Sequence, residues 1–318
     1  MIFKKRSIPI RILQLEALLR RLPITHPQRK RIEEELQRRM IGYRGEQSID
    51  YYLQPYLQEN YSILHGLRLM DVHGQYFQID TLLISPSFIL LIEVKNLSGT
   101  LLFDQPNHQL IRILHDKEER FLDPVYQVNR QMRSLQALLD NQSIGSIPLL
   151  SIVVISNPST ILKSANPQKL IHAEILPTKL KSFEAVHKQT YLSGKEIKRI
   201  SRWLNRKHEP FITNILPSFQ IDPSEILPGV HCPKCHKLAM TRIRGPWKCS
   251  HCYFTDKDAH LLTLQDYVLL NDRYITNQQA REFLLITASV PVSKIFSSMI
   301  LPYTGTFRNR KYILPFPD

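Results

Sequence analysis

Between Tyr76 and Lys95 the chain carries charged side chains inside what reads as two core β-strands, and few folds tolerate that. The segments Tyr76–Ser85 and Phe88–Lys95 are apolar through Leu82, Leu83, Ile84 and Ile89, Leu90, Leu91, Ile92, and the Ser85-Pro86-Ser87 turn separates them. Side chains alternate along a strand, so Gln78 and Asp80 share one face of the first, while Glu93 and Lys95 share one face of the second. Two carboxylates and a lysine then meet at the edge of an apolar sheet, where unpaired charges cost several kcal/mol each. A divalent cation bridging Asp80 and Glu93 supplies the compensation: hard Mg²⁺, or Mn²⁺ in its place, prefers carboxylate, water and phosphate oxygens. Lys95 is then placed to orient an attacking water or to stabilise charge developing on a phosphate. Glu46 joins the set because it precedes Ile49 and Leu53 by helical spacing and so falls on an inward stripe. Gln127 is a further candidate for a hydrogen bond to phosphate or water. The plainer reading of an Asp and a Glu-x-Lys on neighbouring strands is a set of salt bridges with Lys95 and arginines.

Helical periodicity runs over residues 28–57, through Ile32, Leu36, Met40, Ile49, Leu53 and Leu57, interrupted by Gly42 and Gly45. Strands are expected through Leu101 and over Gln109–Leu114. Asp123-Pro124 reads as an N-cap with proline at the first helical position, followed by an apolar stripe of Val125, Val128, Met132, Leu135 and Leu139. Leu149–Ser156 reads as a buried strand, and Ser193–Glu196 as a capping box opening the basic helix KEIKRISRWLNRK. A second capping box, Thr276–Gln279, opens a helix to about Leu285, with a short helix after Pro291 and a strand-like FRNRKYIL tail.

Several of these segments, in this order, also carry a resemblance. Gly42-Tyr-Arg-Gly-Glu46, Gln78-Ile79-Asp80, Glu93-Val94-Lys95-Asn96 with Gly99, and Pro124-x-x-Gln127 resemble the successive motifs of the NERD (nuclease-related) domain, over about residues 38–160. That family belongs to the PD-(D/E)XK, restriction-endonuclease-like superfamily. The resemblance implies an α/β class with an α/β/α core and a mixed sheet, and Mg²⁺-dependent phosphodiester hydrolysis. It further implies Glu46, Asp80, Glu93, Lys95 and Gln127 as site residues. Gln78-Ile79 stands where the superfamily often has proline, which looks like the domain's own variant.

The four cysteines, Cys232, Cys235, Cys249 and Cys252, form two C-x-x-C knuckles at the separation expected of a structural Zn²⁺ site, and resemble a zinc ribbon. Their clustering argues against a disulfide framework and favours a reducing, cytoplasmic compartment. A closed four-thiolate site has no open position, so its expected work is to hold a hairpin, bearing Trp247, that presents Arg242, Arg244 and Lys248 as candidates for contact with nucleic acid. His231, His236 and His251 read as bystanders.

The net charge of +14 points toward a polyanion, nucleic acid before others. It is unevenly spread: +8 over residues 1–45 (12 basic, 4 acidic), −5 over 46–160 (7 and 12), +11 over 161–318 (23 and 12). The basic clusters of Lys4–Arg39 are expected to divide between a solvated helix face packed on the core and phosphate contacts, which fix register without reading sequence. Arg308, Arg310 and Lys311 of a wing-like C-terminal module are candidates for such contacts. The longest apolar run is broken by the Ser-Pro-Ser turn and spans no bilayer, and the N-terminus reads as a poor signal peptide. The expected organisation is a basic helical extension (1–40), a nuclease-like domain (41–208), a proline-containing linker (209–230), a zinc ribbon (231–256) and a helical or winged-helix module (257–318). The expected function is a metal-dependent nuclease acting on nucleic acid, DNA put forward. The alternative is a catalytically inactive nucleic-acid-binding protein that retains the fold.

Overall fold

The two apolar strands flanking the Ser85–Ser87 turn lie at the centre of a six-stranded mixed sheet, seen here in a computed structural model. Residues 1–57, 61–104, 107–142, 144, 147–163 and 169–317 are described, the Arg308 side chain excepted. The elements begin with β1 (Ile2–Lys4), α1 (Ile10–Arg21), α2 (Arg29–Ser48) and α3 (Asp50–Leu53). Then come β2 (Ser62–Met70), β3 (Tyr76–Ile84), β4 (Ile89–Lys95), β5 (Thr100–Asp104), β6 (Gln109–Leu114) and β7 (Lys117–Leu122). Next are α4 (Pro124–Asp140), β8 (Leu149–Ile155), β9 (Ile161–Lys163), β10 (Leu170–His172), α5 (Leu176–Val186) and α6 (Gly194–Lys207). The remainder holds β11 (Val230–His231), β12 (Leu238–Arg242), β13 (Trp247–Cys249), β14 (Thr255–Asp256) and α7 (His260–Leu270). It ends with β15 (Tyr274–Ile275), α8 (Asn277–Leu284), α9 (Ser289–Ser298), β16 (Tyr303–Thr304) and β17 (Lys311–Ile313).

The chain forms two units, Met1–Ser7 with Arg39–Phe211 and Ile8–Arg38 with Ile212–Asp318. Residues 1–40, expected as one extension, are therefore shared between them. In the first unit the sheet order is β1-β2-β3-β4-β8-β10. The β2–β3 and β3–β4 pairs are antiparallel; β1–β2, β4–β8 and β8–β10 are parallel. Alternation sends Ile89, Leu91, Val153 and Ile155 into one buried cluster with Val128, Leu135 and Leu139 of α4 and Ile197, Ile200 and Leu204 of α6. Leu90, Ile92, Ile152 and Val154 go to the other, with Ile49 and Leu53 before and within α3 and Leu176 and Leu180 of α5. This is the α/β/α layering expected of the fold class, built on strands that are apolar on both faces because both faces are covered. A second sheet, β7-β6-β5-β9, completes the unit.

Local signals behave as their chemistry demands. The Asp123 side chain accepts from Val125 N at 2.8 Å ahead of Pro124, and Ser193 and Glu196 cap each other's backbone at the start of α6. Gly99 sits at φ +93°, and a Cβ there would come 2.4 Å from the Ile113 carbonyl oxygen, so this position of the Asn96–Gly99 stretch needs glycine.

In the second unit β11-β12-β13-β14 form an antiparallel sheet around the cysteines, and β15-β17-β16 a smaller one. Trp247 and Met240 of the first share a core with Tyr267 of α7, Leu284 of α8 and Phe296 of α9, so ribbon and helical module are one packed body. The stretch 209–230, expected as a linker or loosely packed strap, contributes Ile215, Leu216, Phe219, Ile221 and Ile226 to a buried cluster with Leu15 and Leu18 of α1. Pro217 and Pro223 each open a short 3₁₀ turn between these anchors. The FRNRKYIL tail is a strand only from Lys311; Phe307–Asn309 form a 3₁₀ turn.

Two glycines on α2 give opposite expectations. Replacing a mid-helix glycine with alanine normally gains ~1 kcal/mol, and Gly42 has nothing within 4 Å of a built Cβ. At Gly45 a Cβ would stand 2.4 Å from Asn96 Cβ and 2.7 Å from Ser156 Oγ. Gly42→Ala is expected to raise the melting temperature and Gly45→Ala to lower it; calorimetry of both variants checks this.

Candidate active site

Strands β3 and β4 pair from Ile84↔Ile89 to Thr81↔Ile92, and beyond that register the Asp80 Oδ2 accepts from Val94 N–H at 2.9 Å. Asp80 thereby takes a backbone donor of β4 at the point where the two strands part. Glu93 is buried (2% exposed) on the α4 side of the sheet, as its alternation with Ile89 and Leu91 requires. Lys95 Nζ donates to Glu93 Oε1 at 2.7 Å and to Gln127 Oε1 at 3.1 Å, and Gln127 Nε2 donates to Glu93 Oε1 at 2.8 Å. Gln131, one turn further along α4, donates to Glu93 Oε2 at 3.1 Å. Glu93, Lys95 and Gln127 are thus brought together as a closed triangle.

Glu46 is held from a different direction. Arg6, whose side chain is only 6% exposed, donates to Glu46 Oε2 at 2.9 Å and through Nη2 to Asp50 Oδ1 at 2.8 Å. The same nitrogen reaches His65 Nδ1 at 2.8 Å and Thr81 Oγ1 at 3.0 Å. Burial first, then the Arg6 charge, pushes the His65 pKa down to about 4, so at neutral pH the ring is uncharged and its Nδ1 accepts from the guanidinium. Arg6 lies just past β1, which pairs with β2, so the N-terminal strand carries the cation that Glu46 faces.

The carboxylates feel one another. Burial raises the Asp80 pKa well above its ordinary value; the charges of Glu93 and Glu46 raise it further, and Val94 N–H and Lys95 only partly oppose them. The Glu46 carboxyl is raised too, by burial first, with Arg6 opposing and Glu93 and Asp50 adding to the rise. Such a set is short of positive charge, and its hard oxygen donors suit a divalent cation such as Mg²⁺. Gln131 Oε1, buried beside Glu93, has no hydrogen-bond partner among the described residues, a spare acceptor in the same place. The oxygens of Glu46, Asp80 and Glu93 are not gathered within 4.8 Å of one another; each carboxylate is turned to its own protein partner.

Among the described residues only the four cysteines gather ligand atoms that tightly. Cys232 and Cys252 Sγ are 3.5 Å apart, Cys235 and Cys249 Sγ 3.7 Å. A tetrahedral zinc with Zn–S of about 2.3 Å requires sulfurs roughly 3.8 Å apart, so these thiols could hold a metal such as zinc. Beside them Arg242 lies over the Trp247 ring at 5.3 Å, with Nη1 buried and without a hydrogen-bond partner among the described residues, while Arg244 and Lys248 are exposed. Arg310 stacks over Tyr303 at 4.3 Å, Lys311 is exposed, and the Arg308 side chain lies outside the described residues.

The basic N-terminal segment, expected to divide between a packed helix face and phosphate contacts, spends several of its arginines on pairs within the protein. Arg11 pairs with Glu35, Arg20 and Arg21 with the fully buried Asp266, and Arg29 with Glu33. Arg6, Asp50, His65, Thr81 and Gln131 were not expected at the site. Only Gln131 had a local signal, a polar residue four positions from both Gln127 and the core residue Leu135. The Arg6 network joins positions 40 to 75 residues apart and has no local signature.

Residues 41–156 match the family model of the NERD nuclease-related domain, within the span anticipated from the motifs. An uncharacterised protein of Bacillus anthracis is 22% identical over 125 residues, which are 39% of this chain and 57% of that protein. The chain thus matches little more than half the length of that curated relative. No solved structure matches it. Among the described residues no helix is long and apolar enough to cross a membrane.

The raised Asp80 value has a stability consequence. The folded chain keeps that proton longer than the unfolded chain, so stability falls as pH rises from the ordinary carboxylate pKa of about 3.9 through the raised value. Asp80→Asn removes the charge and keeps an acceptor for Val94 N–H. In EDTA at pH 8 it is expected to melt above the wild type, the gap closing toward pH 4; thermal melts across pH check this. Separately, elemental analysis of purified protein is expected to find one zinc per chain, lost in Cys249→Ser.

Proposed function

Starting from a nuclease-related domain over residues 41–156, we propose that the protein is a metal-dependent nuclease hydrolysing phosphodiester bonds of nucleic acid, with DNA as substrate. The observation that carries this is the under-compensated carboxylate set, in which burial, then the charges of Glu93 and Glu46, drive up the Asp80 pKa, and Lys95 on Glu93 and Arg6 on Glu46 offset only part of the negative charge. Asp80 and Glu93 would hold Mg²⁺ or Mn²⁺, with Glu46 completing or supporting the set. When bound, the ion supplies charge neutralisation at the phosphate and lowers the pKa of a water. Lys95, fixed by Glu93 and Gln127, orients the attacking water and faces the charge that develops on the phosphoryl oxygens. Gln127 and Gln131 keep Glu93 in one rotamer, and Arg6 does the same for Glu46. In the reaction the water oxygen bonds to phosphorus and the ester P–O bond breaks. One strand end leaves as a phosphate monoester, the other as a hydroxyl that takes up a proton. The four-cysteine set acts as a structural zinc site, and a cytoplasmic setting suits its reduced thiols.

A second reading, a nucleic-acid-binding protein without catalysis, draws support from one observation: each carboxylate already has a protein partner. Cleavage of supercoiled plasmid and circular single strands in Mg²⁺, Mn²⁺ or EDTA separates the two. Metal-dependent cutting is expected, with Asp80→Asn, Glu93→Gln and Lys95→Ala each lowering the rate at least ~100-fold, the scale of a lost transition-state contact. Absence of cutting with either metal, alongside intact binding, would favour the second reading.

A further inference from the structure

Helix α6 has the most lopsided surface in the first unit. Ile197, Ile200, Ser201 and Leu204 are buried against the sheet, and Lys195, Lys198, Arg199, Arg202, Arg206 and Lys207 are all exposed. None of these six forms a salt bridge among the described residues, and Glu196, the helix's sole acid, is taken by the Ser193 capping box. Helix stability does not ask for this pattern. Lys195 and Arg199, Lys198 and Arg202, and Arg202 and Arg206 are like-charge pairs four residues apart, which repel. Lys195 in the first turn opposes the helix dipole, and only Arg206 and Lys207 in the last turn gain from it. A cationic stripe kept at a cost to its own helix calls for an external polyanion.

Its place in the fold says which. Past the end of α6, His208 Nδ1 accepts from Arg68 N–H at 3.1 Å, and Glu209 N–H donates to Arg68 O at 3.0 Å. Arg68 is the cross-strand partner of Gln78, two residues before Asp80. The stripe therefore ends beside the strand segment that bears the candidate catalytic carboxylate. A 14-residue helix is a rigid rod of roughly 21 Å, suited to the fixed phosphate spacing of a duplex; a flexible single strand would have to be ordered first.

Resting on the nuclease reading above, we propose that the exposed face of α6 is the docking surface for the backbone of double-stranded DNA. The contacts are to phosphates, so binding is salt-dependent and indifferent to sequence.

The test measures anisotropy of a 30-bp duplex against the full chain in EDTA, from 50 to 300 mM KCl, so that cleavage plays no part. Each lost phosphate contact reduces the slope of log affinity against log salt by about 0.9, so R199Q/R202Q/R206Q is expected to lose about 2–3. K195Q/K198Q is expected to lose up to about 2, with circular dichroism and melting temperature unchanged in both variants. Folded variants with the wild-type slope would overturn the assignment, as would a loss confined to single-stranded DNA or to duplex RNA. Plasmid cleavage by the wild type is run alongside; if neither Mg²⁺ nor Mn²⁺ supports cutting while the α6 variants lose salt slope, the nuclease reading falls and the surface stands. If plasmid cutting depends on Asp80 while the α6 variants bind as the wild type does, the surface falls and the nuclease reading stands.

Discussion

The parting of β3 from β4 beyond Thr81↔Ile92 organises the chemistry of the first unit. A ladder that continued would pair Val94 N–H with backbone and leave no reason for a carboxylate there. Because the ladder stops, the Asp80 side chain takes that donor and is held, half-buried, within the field of Glu93 and Glu46. The buried strands make this costly, since Ile92 and Leu91 beside the opening are fully buried and exclude the water that would screen the carboxylates. Lys95, Arg6 and two glutamines of α4 offset part of that cost, and the remainder is what a cation or a proton would relieve.

Glu46 shows how a side chain on one element depends on three others. Gly45 lets α2 approach Asn96 and Ser156 closely enough for the next residue to join the carboxylate set. Arg6, carried by the N-terminal strand, then ties Glu46 to Asp50, His65 and Thr81. The neutral His65 ring matters here, because a protonated imidazole could not accept from the guanidinium. The glycine–glutamate motif and the far N-terminus are thus parts of one device, although 40 residues separate Arg6 from Glu46.

The second unit spends its charge differently. Arg21 and Asp266 are fully buried partners, Arg20 shares the same carboxylate, and the Arg21 guanidinium also donates to the Gly229 carbonyl at 2.6 Å. Breaking such a pair leaves a buried charge unmatched, so its value lies in fixing α1 against α7 more than in net stability. A total charge of +14 is therefore a poor guide to the surface: some of the cations nearest the N-terminus are interior, while α6 keeps its six outward.

Residue order by itself determined what depends on local chemistry. Alternation gave β3 and β4 and the shared face of Glu93 and Lys95; Asp123-Pro124, Ser193–Glu196 and Thr276–Gln279 fixed three helix starts through their own backbone donors. The C-x-x-C spacing brought four sulfurs together, because a knuckle and a short antiparallel hairpin leave little freedom. What only the tertiary structure decided is which charges compensate which. That Arg6 faces Glu46, that Asp80 accepts from Val94, and that the part of 209–230 from Ile215 to Ile226 contributes to a core follow from contacts between residues far apart in the chain or from where one ladder ends. Periodicity places a side chain on a face, but partner and protonation state are set by distance and burial, and those exist only once the sheet has closed between its helices.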